Sequence, residues 1–132
     1  MRQKAIPFLL MRGGSSRGPF FNRADLPADL AELSEILISV VGSGHPLNID
    51  GVGGGNAVTT KVAMLSESKD DWADIDYFFA QVSVDKQLVD YKPTCGNMLT
   101  AVGPAAIEMG LVPVFDTVTE IKIRAVNTGA KV

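Results

Sequence analysis

Cysteine and histidine occur once each in this 132-residue chain, as Cys95 and His45. A single thiol cannot close an internal disulfide, which argues against a cross-linked secreted scaffold and for a reducing compartment. One Cys and one His also fall short of a zinc ligand set, so no metal is expected. Positive charge is scarce: 12 Lys and Arg against 15 Asp and Glu leave a net charge of −3, without the basic stripe of a nucleic-acid surface. Long apolar runs are missing too. "AIPFLLM" at 5–11 is too short to span a bilayer and is followed by Arg, Gly and Ser instead of a signal-peptidase site. These absences describe a cytoplasmic protein with neither nucleic acid nor membrane as partner. A local pair such as Arg12 and Arg17 can still hold a small anion.

The 46% hydrophobic content is that of an ordinary globular domain, and the length suffices for one core. The pattern predicts a strand over Ile6–Met11 that breaks at Gly13-Gly14 into a polar loop, "GGSSRG", with "PFFN" resuming an extended path. Leu30, Leu33, Ile36, Leu37 and Val40 recur at helical spacing between a start at Pro27 or Asp29 and a stop at Gly42 or Gly44. Glu32 and Glu35 occupy the opposite face, so this helix is amphipathic. A glycine-dense segment feeds a strand at Thr59–Leu65, and "DIDYFFAQVSVD" and "QLVDY" make two more around a turn at Asp85-Lys86. The segment Gly96–Met109 is apolar on nearly every side and stops at Gly110, the pattern of a helix buried all round. Val118, Ile121 and Ile123 alternate in a last strand. Together these elements predict an α+β domain, a sheet wrapped around a buried central helix. The chain stops just after a strand with no capping helix or polar tail, as expected of a piece of a longer protein.

Two residues carry the candidate chemistry. Cys95 immediately precedes Gly96, Asn97 and Met98 at a helix start, where unpaired N–H groups and the helix dipole favour a thiolate. The same amides suit a ligand carboxylate, and Gly96 permits close approach. The alternative is a small buried hydrophobe. In "VTTKVAML", alternation sets Lys61 with Thr59 and Ala63 on one face and Thr60, Val62 and Met64 on the other. Lys61 is either a solvated edge residue or, if buried beside Arg12 or Arg17, a proton-abstracting base. "GVGGGNAVTTK" is neither a Walker loop nor a dinucleotide fingerprint, and tight turning is its default use. "RGGSSRG" combines a flexible backbone, two hydroxyls and two guanidinium groups suited to carboxylate or phosphate oxygens. His45 reads as a loop histidine and Asp50 as a turn brace.

"MRGGSSRGPFF" at 11–21, "IDGVGGGNAVTTKVAML" at 49–65, "VDY" at 89–91 and "CGNMLTAVGP" at 95–104 together resemble the N-terminal half of the PrpF-like isomerases. That family includes 2-methylaconitate isomerase and 4-oxalomesaconate tautomerase. Its fold resembles that of diaminopimelate epimerase: two similar domains, each a mixed sheet rolled into a barrel around a central helix, with the active site in the cleft between them. The resemblance implies that residues 1–132 are the N-terminal domain of a two-domain isomerase whose second domain is absent from this chain. Such a domain is expected to fold alone and to be nearly inactive, because half the cleft is missing.

The resemblance further implies that Lys61 and Cys95 are the acid/base couple of a cofactor-independent proton shift, with the two roles undivided between them. It implies that Arg12, Ser15, Ser16, Arg17 and the amides of Gly96, Asn97 and Met98 bind the substrate's carboxylates. Ser15 and Arg17 stand where the family has Thr and Lys. Each change keeps a hydroxyl or a positive charge, so it bears on substrate choice more than on chemistry. The implied substrate is an unsaturated tricarboxylate, 4-oxalomesaconate of aromatic compound catabolism first and 2-methylaconitate as the alternative. Neither metal nor nicotinamide is required, and a homo-oligomer is compatible. A lysine with one cysteine, in place of two cysteines, argues against an amino-acid racemase. The rival class is a non-catalytic carboxylate-binding module, which would need the serine loop but not a titratable lysine.

Overall fold

The computed structural model describes residues 3–115 and 117–132. Strands β1 (Leu9–Gly13) and β2 (Ser16–Asn22) form an antiparallel hairpin in which Leu9 faces Phe20 and Gly13 faces Ser16. Only Gly14 and Ser15 remain for the turn. Gly14 has φ +53°, a left-handed value that a two-residue hairpin turn demands and glycine adopts without a Cβ clash. The expected polar loop is therefore a tight turn, and β1 begins later than its apolar run. Hydrophobicity marks Ile6, but pairing starts at Leu9.

β3 (Lys61–Glu67) runs parallel to β2, and β4 (Ile75–Val82) runs antiparallel to β3. Along its other edge β4 pairs with β5 (Val89–Asp90) near its end and with β6 (Ile123–Ala125) near its start, and β7 (Ala130–Lys131) flanks β6. The order is β1-β2-β3-β4-β6-β7. This sheet is open, which corrects the expected barrel: β1 and β7 stand at opposite edges. Closure would require ladder bonds between those edges, and β6 and β7 are too short to carry the sheet around. The alternation at Val118 and Ile121 lies outside any strand.

The gap between β5 and β6 explains part of that shortness. Asn127 lies there and imitates a missing strand, accepting from the Phe79 N–H at 2.8 Å and donating to the Phe79 carbonyl at 2.8 Å and to the Tyr91 carbonyl. A backbone donor and acceptor in mid-sheet are thereby satisfied by one carboxamide.

Period-two alternation sends side chains to two cores. Phe20, Ala63, Leu65, Ile75, Tyr77 and Phe79 meet Met98, Val102, Ala105 and Ala106 of α2 (Gly96–Leu99) and α3 (Val102–Glu108). Phe21, Val62, Met64, Ala80 and Val82 meet Leu33, Leu37 and Val41 of α1 (Leu30–Val41) on the other face. Each fully buried Phe, Leu or Met contributes about 1.5–3 kcal/mol of transfer free energy. Asp29 caps α1 by accepting from the Glu32 N–H at 3.0 Å, and Gly42 ends it at φ +83°, choosing between the alternatives at each end. The glycine-dense segment completes that cap: Val52 and Gly53 donate to the carbonyls of Val40 and Val41. Asn48 donates to the carbonyls of Gly42, His45 and Val84 and accepts from the Gly55 N–H. It braces this loop in the role expected of Asp50, while His45 accepts from the Leu47 N–H as a loop residue.

The expected single buried helix is two short ones. In a continuous helix Pro104 could not donate to the Thr100 carbonyl and its ring would collide with it. The chain instead breaks at Thr100-Ala101 and restarts, with Pro104 and Glu108 exposed. Among the described residues no helix is long and apolar enough to cross a membrane.

Candidate active site

Lys61 opens β3, between β2 and β4, so the solvated-edge reading fails. Its Nζ donates to Gln81 Oε1 at 2.7 Å and lies 5.4 Å from the centroid of the Phe79 ring. Alternation puts it on the face of Ala63 and Phe79, the face that α2 and α3 cover. Neither Arg12 nor Arg17 is among its partners.

Cys95 is the N-cap of α2 on that same face. It is 9% exposed, and its Sγ accepts from the Met98 N–H at 3.5 Å and lies 3.9 Å from Ser16 Oγ. The buried Tyr77 hydroxyl donates to the Cys95 carbonyl at 3.1 Å. Burial raises the Tyr77 phenol well above its ordinary range, with the Cys95 side chain adding to the effect, so it stays a neutral donor and anchors the segment. An amide and a hydroxyl beside the sulfur are polar company that apolar packing alone does not require.

The β1–β2 turn packs on the first turn of α2. Asn97 Nδ2 donates to Ser15 Oγ at 2.9 Å, and a Cβ on Gly13 would fall 2.1 Å from the Asn97 carbonyl oxygen. Gly18 lies between the start of β3 and α2: a Cβ there would fall 1.8 Å from the Lys61 carbonyl oxygen and 3.3 Å from Met98 Cε. Gly96 and Asn97 are exposed, and a Cβ on Gly96 would meet nothing within 4 Å. Among the described residues their amides have no protein acceptor, whereas the Met98 amide already serves the sulfur.

The structure thus brings Lys61, Cys95, Ser15, Ser16, Gly96, Asn97 and Met98 to one face and end of the sheet. It does not bring Arg12 and Arg17 there. They are cross-strand partners of each other, and alternation from Phe20 and Phe21 sets them on the α1 face. Arg12 Nε donates to the Gly14 carbonyl at 3.0 Å, and a Cβ on Gly54 would fall 3.0 Å from an Arg17 Nη. Among the described residues no three His, Cys, Asp or Glu side chains cluster as metal ligands would.

Sequence reasoning missed Gln81 and Tyr77. Both continue the inward period Ile75, Tyr77, Phe79, Gln81 of β4. A polar group at an inward position was the available signal, because a buried amide or phenol needs a partner.

The fold is shared with a crystal structure of a methylitaconate-delta-isomerase: 96% of this chain matches 33% of that one at a TM-score of 0.92 and 39% identity. That defines the class as a domain built like part of a larger isomerase. The family model described as "PrpF protein" matches residues 3–132, and the chain belongs to the PrpF family. It is similar to YbhH of Escherichia coli, 53% identical over 126 residues, and to the 4-oxalomesaconate tautomerase of Pseudomonas putida, 48% identical over 129 residues. Those matches cover 96% and 98% of this chain and 36% of each relative. The chain therefore spans about a third of the length of the relatives it matches.

Proposed function

We propose that this chain is the N-terminal domain of a two-domain, cofactor-independent isomerase that shifts a proton in an unsaturated tricarboxylate, with 4-oxalomesaconate as its substrate. The observation that carries the reading is the shared sheet face of Lys61 and Cys95, beside open backbone amides. The similarity to the Pseudomonas putida tautomerase supports the choice of substrate.

In this reading Lys61 removes the proton from a carbon flanked by a conjugated carbonyl or carboxylate. The electron pair delocalises into an enolate, and Cys95 returns a proton at another atom of the conjugated system. Solvent then resets both groups. The exposed amides of Gly96 and Asn97 and the Ser15 hydroxyl hold carboxylate oxygens, the buried Ser16 hydroxyl serves the Cys95 sulfur, and charge that develops on the enolate is stabilised by fixed donors. Met98 contributes its amide through the sulfur that it orients. Arg12 and Arg17 lie behind the turn and add positive field more than contact.

Cys95→Ser in the full-length protein keeps a cap for α2 but replaces the thiol with a far weaker acid. It is expected to lower kcat by about 10²-fold with the melting temperature nearly unchanged. Steady-state turnover of 4-oxalomesaconate checks this, and an unaltered kcat would remove Cys95 from the chemistry.

A further inference from the structure

We infer that Gln81 is a positioning residue for Lys61, a neutral acceptor that aims the amine. The inference rests on Lys61 being the base. The two residues are cross-strand partners, Lys61 on β3 and Gln81 on β4, and the 2.7 Å bond between Nζ and Oε1 joins them.

The carboxamide cannot turn over. Its Nε2 donates to the Ala57 carbonyl at 3.1 Å, to Thr60 Oγ1 at 3.1 Å and to the Val82 carbonyl at 3.3 Å. Thr60 is fully buried and commits its own hydrogen to the Val82 carbonyl at 2.7 Å. Its oxygen is thus left to accept from Gln81. Acceptors surround the nitrogen side, so the oxygen must point at Lys61. An acceptor at that place takes one N–H of the lysine whether it is an amine or an ammonium. The lone pair of the neutral amine then points elsewhere than at Gln81.

Neutrality matters as much as direction. A carboxylate in the same position would favour the charged lysine and withdraw the free base. The charged or titratable groups on this face are few. Cys95 comes from α2, Tyr77 from β4 itself with its hydroxyl donating to the Cys95 carbonyl, and Glu67 from the far, exposed end of β3. From β5, Asp90 stands one strand beyond Gln81 in register, and its carboxylate accepts from the Lys92 N–H at 2.9 Å. The turn at Ala57–Thr59 offers none. The Asp76–Arg124 pair of β4 and β6, bridged at 2.7 Å, belongs to the other side of β4. Gln81 therefore stands as an uncharged spacer between the base and Asp90.

The test is the pH profile of kcat/KM of the full-length protein with 4-oxalomesaconate, for wild type, Gln81→Glu, Gln81→Leu and Lys61→Met, with melting temperatures measured in parallel. A base must be deprotonated, so the profile rises through its titration. Gln81→Glu is expected to displace that ascending limb to higher pH by about one unit or more. Gln81→Leu is expected to lower the plateau kcat about tenfold with KM unchanged. A folded Gln81→Glu protein whose limb stays in place overturns the inference. If Gln81→Glu does not fold, a wild-type plateau kcat in Gln81→Leu overturns it. The Lys61→Met control separates the failures: an active Lys61→Met protein ends the reading of Lys61 as base, and this inference with it. An inactive one beside an unmoved limb ends the role of Gln81 alone.

Discussion

Lys61→Met in the full-length protein is expected to lower kcat for 4-oxalomesaconate by about 10³-fold or more, within the range that a positioned general base supplies. Methionine retains the length and apolar stem of lysine, so the sheet is kept and only the nitrogen beside Phe79 is lost. Gln81 Oε1 loses its donor, a cost of about 1–3 kcal/mol at most, which thermal unfolding would register as a modest fall. The separation of the two readouts matters. A large loss of kcat with a small loss of stability is the signature of chemistry, whereas parallel losses would mean that Lys61 merely holds β3 to β4.

Gly18→Ala is expected to destabilise the protein by about 3 kcal/mol or more, at the upper end of overpacking costs. Its Cβ would fall 1.8 Å from the Lys61 carbonyl oxygen, a backbone atom that cannot rotate aside. β2 and β3 must then separate where their parallel pairing meets the start of β3, and Lys61 moves with its strand. Activity is lost with stability in this case, as melting and turnover measured on one preparation would show. Gly96→Ala is the matching control, since its added Cβ would meet nothing within 4 Å. The fold tolerates it, so a rise in KM there would report a ligand at the open amides.

Local features of the fold were readable because their causes are local. Asp29 and Gly42 bound α1 through a cap bond and a left-handed φ, both written in residue type. Pro104 was equally legible as a helix breaker, and the apolar character of its surroundings concealed it. The open sheet was not legible. Whether β1 meets β7 depends on the summed course of six paired strands and on Asn127 filling a gap on β4, contacts 48 residues apart. The same holds for the candidate site. Lys61 and Cys95 stand out singly as a lone lysine in an otherwise uncharged strand and a lone thiol at a helix start. That they share a face follows from the parity of Ala63 and Leu65 against α2, which only the sheet order supplies. Arg12 and Arg17 show the converse: adjacency in "RGGSSRG" suggested one anion clamp, but a two-residue turn makes them cross-strand partners on the α1 face. Ser16, one residue from Arg17, points to Cys95 instead.

The most direct test of a proton shift in an unsaturated tricarboxylate is the ultraviolet absorbance change of 4-oxalomesaconate on adding the wild-type full-length protein, with 2-methylaconitate assayed beside it. The account predicts rapid, metal-independent conversion of 4-oxalomesaconate and slower conversion, or none, of 2-methylaconitate. A protein that is folded and inert toward both would contradict it.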